Sequence, residues 1–487
     1  MKFNKLIITS SICGCLLYLP MTFMPLALAD DLPELGDISQ TVLTPAQEQQ
    51  IAEQILRDIA VSDDVVQDIE IIDYLQSLGE KLVAAGPDKR QQFNFFVVKD
   101  NSINAFALPG GVIGVHTGLI LAANNESELA SVLGHEIGHV TQHHLARMLA
   151  SQKFDTFKSI ASIAVALLVS RANPELAGGA LTAAGASGLQ RQLDYTREHE
   201  READRVGLQI LDNAGFDVRA MPAFFTTLQH GMRFVEGSAP SFLRTHPLTS
   251  ERIADVTNRV EAIPYRQVPD SLDFQFMRAK IRAGQGSVQA NIDTFQNNIK
   301  ERRFANEAAE HYGLAVALLR KNDTDGAAKQ VKWLRESLSV NATIESLSAR
   351  IEVARNHPQQ AAIAFAKALN TFPAYRSLIY GYAEHFLATN QPDKLLKLVS
   401  SKHALYPNDA YFYELEAHAY SIQNKVLLQH QALGEAYFRR YDLKNAVEQM
   451  DLAVKAIDGN FYEKSIAEAR LKELNNLLAI EKKSRQS

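Results

Sequence analysis

GHEIGHVTQHH, residues 134–144, holds four histidines and one glutamate in eleven positions. Its surroundings carry apolar residues at helical spacing: Leu129, Val132, Leu133, Ile137 and Val140. That period predicts a helix. Side chains four apart on a helix lie one turn apart on one face. His135 and His139 can therefore offer imidazole nitrogens to a single metal ion, at about 2.0–2.1 Å each for zinc. Glu136 stands beside that face, where a carboxylate can act as general base on a water the ion activates. Gly134 and Gly138 leave room for other groups to approach. The bland alternative is a helix whose histidines are merely satisfied, since HExxH also arises by chance.

His143 follows His139 by four, the spacing that would extend the ligand face, but eight residues separate it from His135, about 12 Å of helix rise. One ion cannot span that unless the helix breaks, and Thr141-Gln142-His143 has no glycine to turn the chain. His143 and His144 therefore read as outer or surface residues. His116 reads as a strand or loop histidine.

A catalytic zinc usually keeps three protein ligands and one open position, so a third ligand must come from elsewhere. REHEREADRVGLQIL (197–211) is the best region. Its helix must bury Ala203, Val206, Gly207, Ile210 and Leu211. Glu200, Asp204, Gly207 and Leu211 then form one inward stripe, with Glu198 and Glu202 pointing away. On pattern alone His199 rivals Glu200 as ligand. A carboxylate one turn beyond the ligand, at Asp204, suits the need of ligating histidines for a partner on their other nitrogen.

Outward from these helices, the 487-residue chain is 46% hydrophobic and 22% charged, with a net charge of −6. Its length implies two or three domains, and its charge gives no support to nucleic-acid binding. Residues 1–29 read as a secretory signal: Lys2 and Lys5, an apolar run, then Ala27-Leu28-Ala29 before Asp30. Both cysteines, Cys13 and Cys15, lie inside it. The mature chain would carry a net charge of −8 and no disulfide, and the periplasm is the expected address. Residues 30–50 are a polar lead-in, and 51–266 form a mixed α/β domain. QQFNFFVVKD (91–100) and AFALPGGVIGVHTGLI (105–120) read as strands around Pro109-Gly110-Gly111. The proline-bearing IPYRQVPDS (263–271) marks the boundary.

Residues 267–487 read as all helix with a period of 34. Ala315, Ala349, Ala383 and Ala417 keep that spacing, as do Pro373 with Pro407 and Ala327 with Ala361, Leu395 taking the next place. The period resembles the tetratricopeptide repeat. Past Ala417, the residues Gly434, Tyr437, Ala446 and Ala453 fit half a repeat later. SIASIAVALLVS (159–170) is apolar but short of the ~20 residues a membrane span needs. It reads as a buried helix or a peripheral membrane contact.

HEIGH, then EREAD, then THPLTSERI (245–253) together resemble peptidase family M48, in its secreted branch with a tetratricopeptide tail. The resemblance implies an α+β zinc metallopeptidase domain, mainly helical with a small sheet, followed by an all-α tetratricopeptide-like solenoid. It implies one zinc held by His135, His139 and Glu200, which decides against His199. It makes Glu136 the general base and Asp204 the proton donor. It further implies that His246 can fill the open zinc position and hold the enzyme latent. Zinc peptidases of this design bind substrate extended against an edge strand, for which Ala105, Phe106, Ala107 and Leu108, within 104–111, are the candidates. The implied function is endopeptidase and chaperone-like activity on outer-membrane β-barrel proteins, with the tail engaging them or their assembly machinery. The competing reading is a chaperone or adaptor whose proteolysis is latent. A membrane-embedded peptidase is disfavoured for want of a second apolar span.

Overall fold

The computed structural model describes residues 44–88, 91–151, 197–234 and 241–484. The expected signal, most of the lead-in and the apolar run 159–170 lie outside the described residues. Among those described, no helix is long and apolar enough to cross a membrane.

Helix α1 (Pro45–Ala60) opens with a capping box, Thr44 and Gln47 each accepting from the other's backbone N–H. Helix α2 (Ile69–Ala85) is capped by Asp68. A three-stranded sheet follows: β1 (Asn94–Val98), β2 (Ala105–Leu108) and β3 (Val112–His116), in the order β1-β3-β2. β1 runs parallel to β3 and β2 antiparallel to it, with Phe106 opposite Gly114. β2 is thus an edge strand. The turn between β2 and β3 requires glycine at 111, where φ is 78° and a Cβ would stand 2.2 Å from the Gln92 carbonyl oxygen. The strand expected across 105–120 stops short: Thr117–Ala122 is a helix, α3.

Helix α4 (Glu126–Thr141) is capped by Asn125 and buried without a break from Ser127 to His139. It is a central helix, not an amphipathic surface one. Helix α5 (His144–Ser151) follows after a sharp turn. Then come α6 (Arg197–Asn213), α7 (Ala220–Phe234), α8 (Ser241–Thr245) and α9 (Ser250–Glu261).

The remaining helices run as antiparallel neighbours: α10 (Leu272–Gly284), α11 (Val288–Glu301), α12 (Glu307–Arg320), α13 (Thr324–Ser337), α14 (Ala342–Ala354), α15 (Pro358–Thr371), α16 (Arg376–Ala388), α17 (Pro392–Ser400), α18 (Ala410–Ile422), α19 (Val426–Arg439), α20 (Leu443–Lys455) and α21 (Phe461–Ser484). The alanines spaced by 34 are all buried where helices cross. The structure adds a second series at the same period. Asn322, Asn356, Asn390 and Asn424 each hold a left-handed φ of 54–67° in a three-residue turn between paired helices. Asparagine is the residue after glycine best suited to that position. Tyr441, 17 residues past Asn424, repeats the turn between α19 and α20, which accounts for the half-period shift.

One hydrophobic core runs through both halves. It includes Leu75, Val115, Leu133, Ile210 and Phe224 on one side and Phe274, Tyr312 and Leu347 on the other. Polar contacts add to it: Lys280 Nζ lies 2.6 Å from both Asp68 and Glu70, Arg376 pairs with Asp73, and Arg278 Nη2 donates to the Leu121 carbonyl at 2.9 Å.

Candidate metal centre

The centre is built where α4 crosses α6, and small residues set the distance. A Cβ on Gly207 would stand 2.9 Å from His135 N and 3.0 Å from Gly134 C; one on Gly138 would meet the Ala203 carbonyl oxygen at 3.0 Å. Backbone thus touches backbone, and the inward stripe of α6 faces the histidines of α4. Glu200, Ala203, Asp204, Val206, Gly207, Ile210 and Leu211 are all buried as the period predicts.

His135, His139, Glu200 and His246 bring one ligand atom each to within 4.8 Å of one another. His139 Nε2 is 3.0 Å from His135 Nε2 and 3.4 Å from Glu200 Oε1. Glu200 Oε2 is 3.5 Å from His135 Nε2, and His246 Nδ1 is 2.9 Å from Glu200 Oε1 and 3.4 Å from His135 Nε2. A tetrahedral ion with bonds of about 2.0–2.1 Å has ligand edges of about 3.3–3.4 Å; three of these five separations, 3.4–3.5 Å, fit that span, and two, 2.9 and 3.0 Å, are shorter. Glu136, Glu200, Asp204 and Arg252 are each no more than 2% exposed. Three carboxyl groups here face a single guanidinium, an excess of acidic groups that suits a bound cation.

Each group is tuned by its surroundings. Burial pushes the Glu136 carboxyl above the ordinary carboxylate range, with His246, His135 and the Ala107 amide opposing it. Burial would also raise Glu200, but His246, His135 and His139 outweigh it and hold Glu200 well below that range. Burial depresses His139 far below the usual imidazole value, leaving it neutral. The same burial acts on His135, yet Asp204 and Glu200 override it and raise it to about 10.

Behind the cluster, His135 Nδ1 lies 2.9 Å from Asp204 Oδ1, although its N–H does not point squarely along that line. Arg252 clamps Asp204 through Nε to Oδ2 at 2.7 Å and Nη2 to Oδ1 at 2.8 Å. Its Nη1 reaches Glu200 Oε2 at 2.6 Å and donates to the Pro247 carbonyl at 2.9 Å. Thr249 caps α9 by accepting from Arg252 N. Burial raises the Asp204 pKa, but His135 and Arg252 more than offset that and hold it below the usual carboxylate value, with Arg252 bonded to both oxygens.

His246 stacks on Phe242, with centroids 4.6 Å apart, and turns Nε2 toward Glu136 Oε1 at 3.6 Å. His116 caps the far end of β3, its Nδ1 2.9 Å from Ser102 Oγ. Edge strand β2 packs beside α4, and Ala107 and Leu108 line a small cleft with His139 and Val140. Glu198 is exposed, whereas Glu202 is half-buried.

The expectation that Thr141-Gln142-His143 cannot turn the chain is corrected. Helix α4 ends at Thr141, and His143 itself adopts a left-handed φ of 51°. His144 is thereby carried under His139, fully buried, and His199 stacks on it with centroids 4.5 Å apart. Sequence reasoning missed the grip of Arg252 on both acids and this contact of His144; neither leaves a local periodic signal.

A helix-borne His-Glu-x-x-His, a glutamate from a second helix and a buried base define a metallopeptidase. Residues 72–260 match the family model of peptidase family M48, and the chain carries an M48 peptidase domain there. M48 metallopeptidases use zinc. The chain is 29% identical over 457 residues to the beta-barrel assembly-enhancing protease of Escherichia coli (strain K12), covering 92% of each. A Vibrio cholerae relative that provisionally carries the same name is 38% identical over 299 residues, 61% of this chain and 62% of that one. The mitochondrial metalloendopeptidase OMA1 of Arabidopsis thaliana is 31% identical over 176 residues, 35% of this chain and 33% of that one.

Proposed function

We propose that this chain is a periplasmic zinc endopeptidase with chaperone-like activity, which promotes assembly or degradation of outer-membrane β-barrel proteins. The observation that carries the reading is the four-cornered cluster with Glu136 buried beside it. In this reading residues 1–29 are a signal, 51–266 the peptidase domain and 267–487 the repeat domain that engages clients or their assembly machinery. The names of the long relatives support the client class.

His135, His139 and Glu200 would hold the zinc. When bound, zinc supplies a Lewis acid that lowers the pKa of water and polarises a carbonyl. Glu136 accepts the proton of the attacking water. Asp204, fixed by Arg252, orients His135. The outer edge of β2, Ala105 to Leu108, pairs with an extended substrate and aligns its scissile bond with Glu136.

His246 gives this reading its regulatory side. One ring occupies the fourth corner of the cluster and approaches the base. With His246 seated there, a nucleophilic water has no place, so the resting enzyme is latent. The same observation favours a second reading, in which the repeat domain acts as an adaptor and proteolysis is rare.

The test is zinc content and cleavage of a β-barrel protein by wild type, Glu136→Gln and His246→Ala. Glu136→Gln keeps its zinc and loses cleavage by about 10²–10⁴-fold, while His246→Ala raises basal cleavage. Unaltered cleavage by Glu136→Gln sinks the peptidase reading. Survival of every cellular phenotype in Glu136→Gln gives the adaptor reading precedence.

A further inference from the structure

We infer that His144 is a positioning residue for the metal centre, fixing the tautomer and tilt of His139 through a relay that ends on Glu202. This rests on the reading of His139 as a zinc ligand, and deepens it. His139 turns Nε2 into the cluster and Nδ1 toward His144 Nδ1, 2.8 Å away. A ligating nitrogen must offer a lone pair, so the proton of His139 sits on Nδ1 and is donated to His144. His144 Nδ1 is then an acceptor, and its proton must lie on Nε2. That nitrogen stands 3.0 Å from Glu202 Oε2, an obligate acceptor when ionised. Arg147 Nη1 donates to the same oxygen at 3.1 Å and holds the carboxylate in place. Every proton in the chain has one position, set from the ligand atom outward.

The backbone makes the arrangement possible. On an unbroken helix a residue five further on would lie roughly 140° around the axis, out of reach of His139. The end of α4 at Thr141 and the left-handed turn at His143 remove that separation. His199, stacked on the face of His144 at 4.5 Å and 19°, keeps the ring from rotating. The two zinc histidines thus have different supports, a carboxylate for His135 and a second imidazole for His139.

The test uses the full chain, competing zinc against a chromophoric chelator and recording the visible spectrum of the cobalt-substituted protein. His144→Ala weakens zinc binding about 10–100-fold and alters the cobalt bands. His144→Asn, whose amide oxygen can accept from Nδ1, recovers part of the loss. Glu202→Gln shifts affinity the same way by less. Should His144→Ala fail to fold, the Asn and Glu202→Gln variants carry the decision. Zinc affinity within twofold of wild type and an unchanged cobalt spectrum in the folded variants overturn the inference. His139→Ala separates the two levels: if it binds zinc like wild type, the ligand reading itself has failed. If it loses zinc while the His144 variants do not, only the relay has.

Discussion

Gly207→Ala adds one carbon at the point where α4 and α6 touch. That carbon would stand 2.9 Å from His135 N, 3.0 Å from Gly134 C and 3.1 Å from Gly134 O. Reaching a normal contact of about 3.5–4.0 Å requires the helices to part by roughly 0.5–1 Å. Two effects oppose. Alanine in a helix interior is favoured over glycine by about 1 kcal/mol, whereas overpacking costs about 1–3 kcal/mol. The neighbours here are backbone atoms, which cannot rotate away, so the steric cost wins and the variant loses about 1–2 kcal/mol. The site suffers with the fold, because His135 and His139 ride on α4 and Glu200 on α6. A gap opened between these helices draws Glu200 off the histidines, and zinc affinity falls about tenfold or more, equal to ~1.4 kcal/mol. Urea unfolding and chelator competition measure both. The control is Gly284→Ala at the exposed end of α10, where nothing lies within 4 Å of the added carbon. That change should be neutral or mildly stabilising. A Gly207→Ala protein as stable as the Gly284→Ala one, with wild-type zinc affinity, would refute the argument that backbone contact sets the site.

Three further outcomes follow from the geometry. Arg252→Lys loses the paired bonds to Asp204 and the bridge to Glu200, so zinc binding weakens about 10-fold or more by chelator competition. Lys280→Met removes one of the two cations that face the buried Glu70, leaving Arg350, and destabilises by about 1–3 kcal/mol at neutral pH in urea unfolding. The pH dependence has a definite sign. Burial raises the Glu70 pKa, but Lys280 and Arg350 bring it from 4.5 down to about 2. Its contribution in wild type is therefore complete above pH 4.5 and fades as the pH falls toward 2. In Lys280→Met acidification instead relieves part of the loss. Asn356→Val forces a β-branched residue to a φ of 57° and costs about 1–3 kcal/mol, while Asn356→Gly is nearly neutral; equilibrium unfolding tells them apart.

What could be read from the sequence was whatever repeats locally. The face shared by His135 and His139 is a property of four-residue spacing, and the inward stripe of α6 follows from the same period. Alanines at 34-residue intervals announced the solenoid. The asparagines at 322, 356, 390 and 424 carry the same period and were equally available. They pass unnoticed because asparagine, unlike glycine, does not stand out as a left-handed residue. The turn at His143 was hidden for a related reason: histidine tolerates a left-handed φ better than most residues with a side chain, but its presence does not announce one. The run HTGLI shows the opposite failure. Its apolar character suits a strand, but β3 ends at His116 and the chain turns into α3.

The most consequential thing absent from the sequence is the shared wall. Helix α2 packs one face on β1 and α4, and offers Glu70 and Asp73 to Lys280 and Arg376 of the repeats. Arg278 reaches across to the Leu121 carbonyl at the end of α3, just ahead of the metal-bearing helix. These contacts join residues more than 150 positions apart, so no window of sequence reveals them. Their effect is physical. The first repeats complete the core on which α4 rests, so a substitution at their junction with α2 reaches His135 and His139 through packing alone.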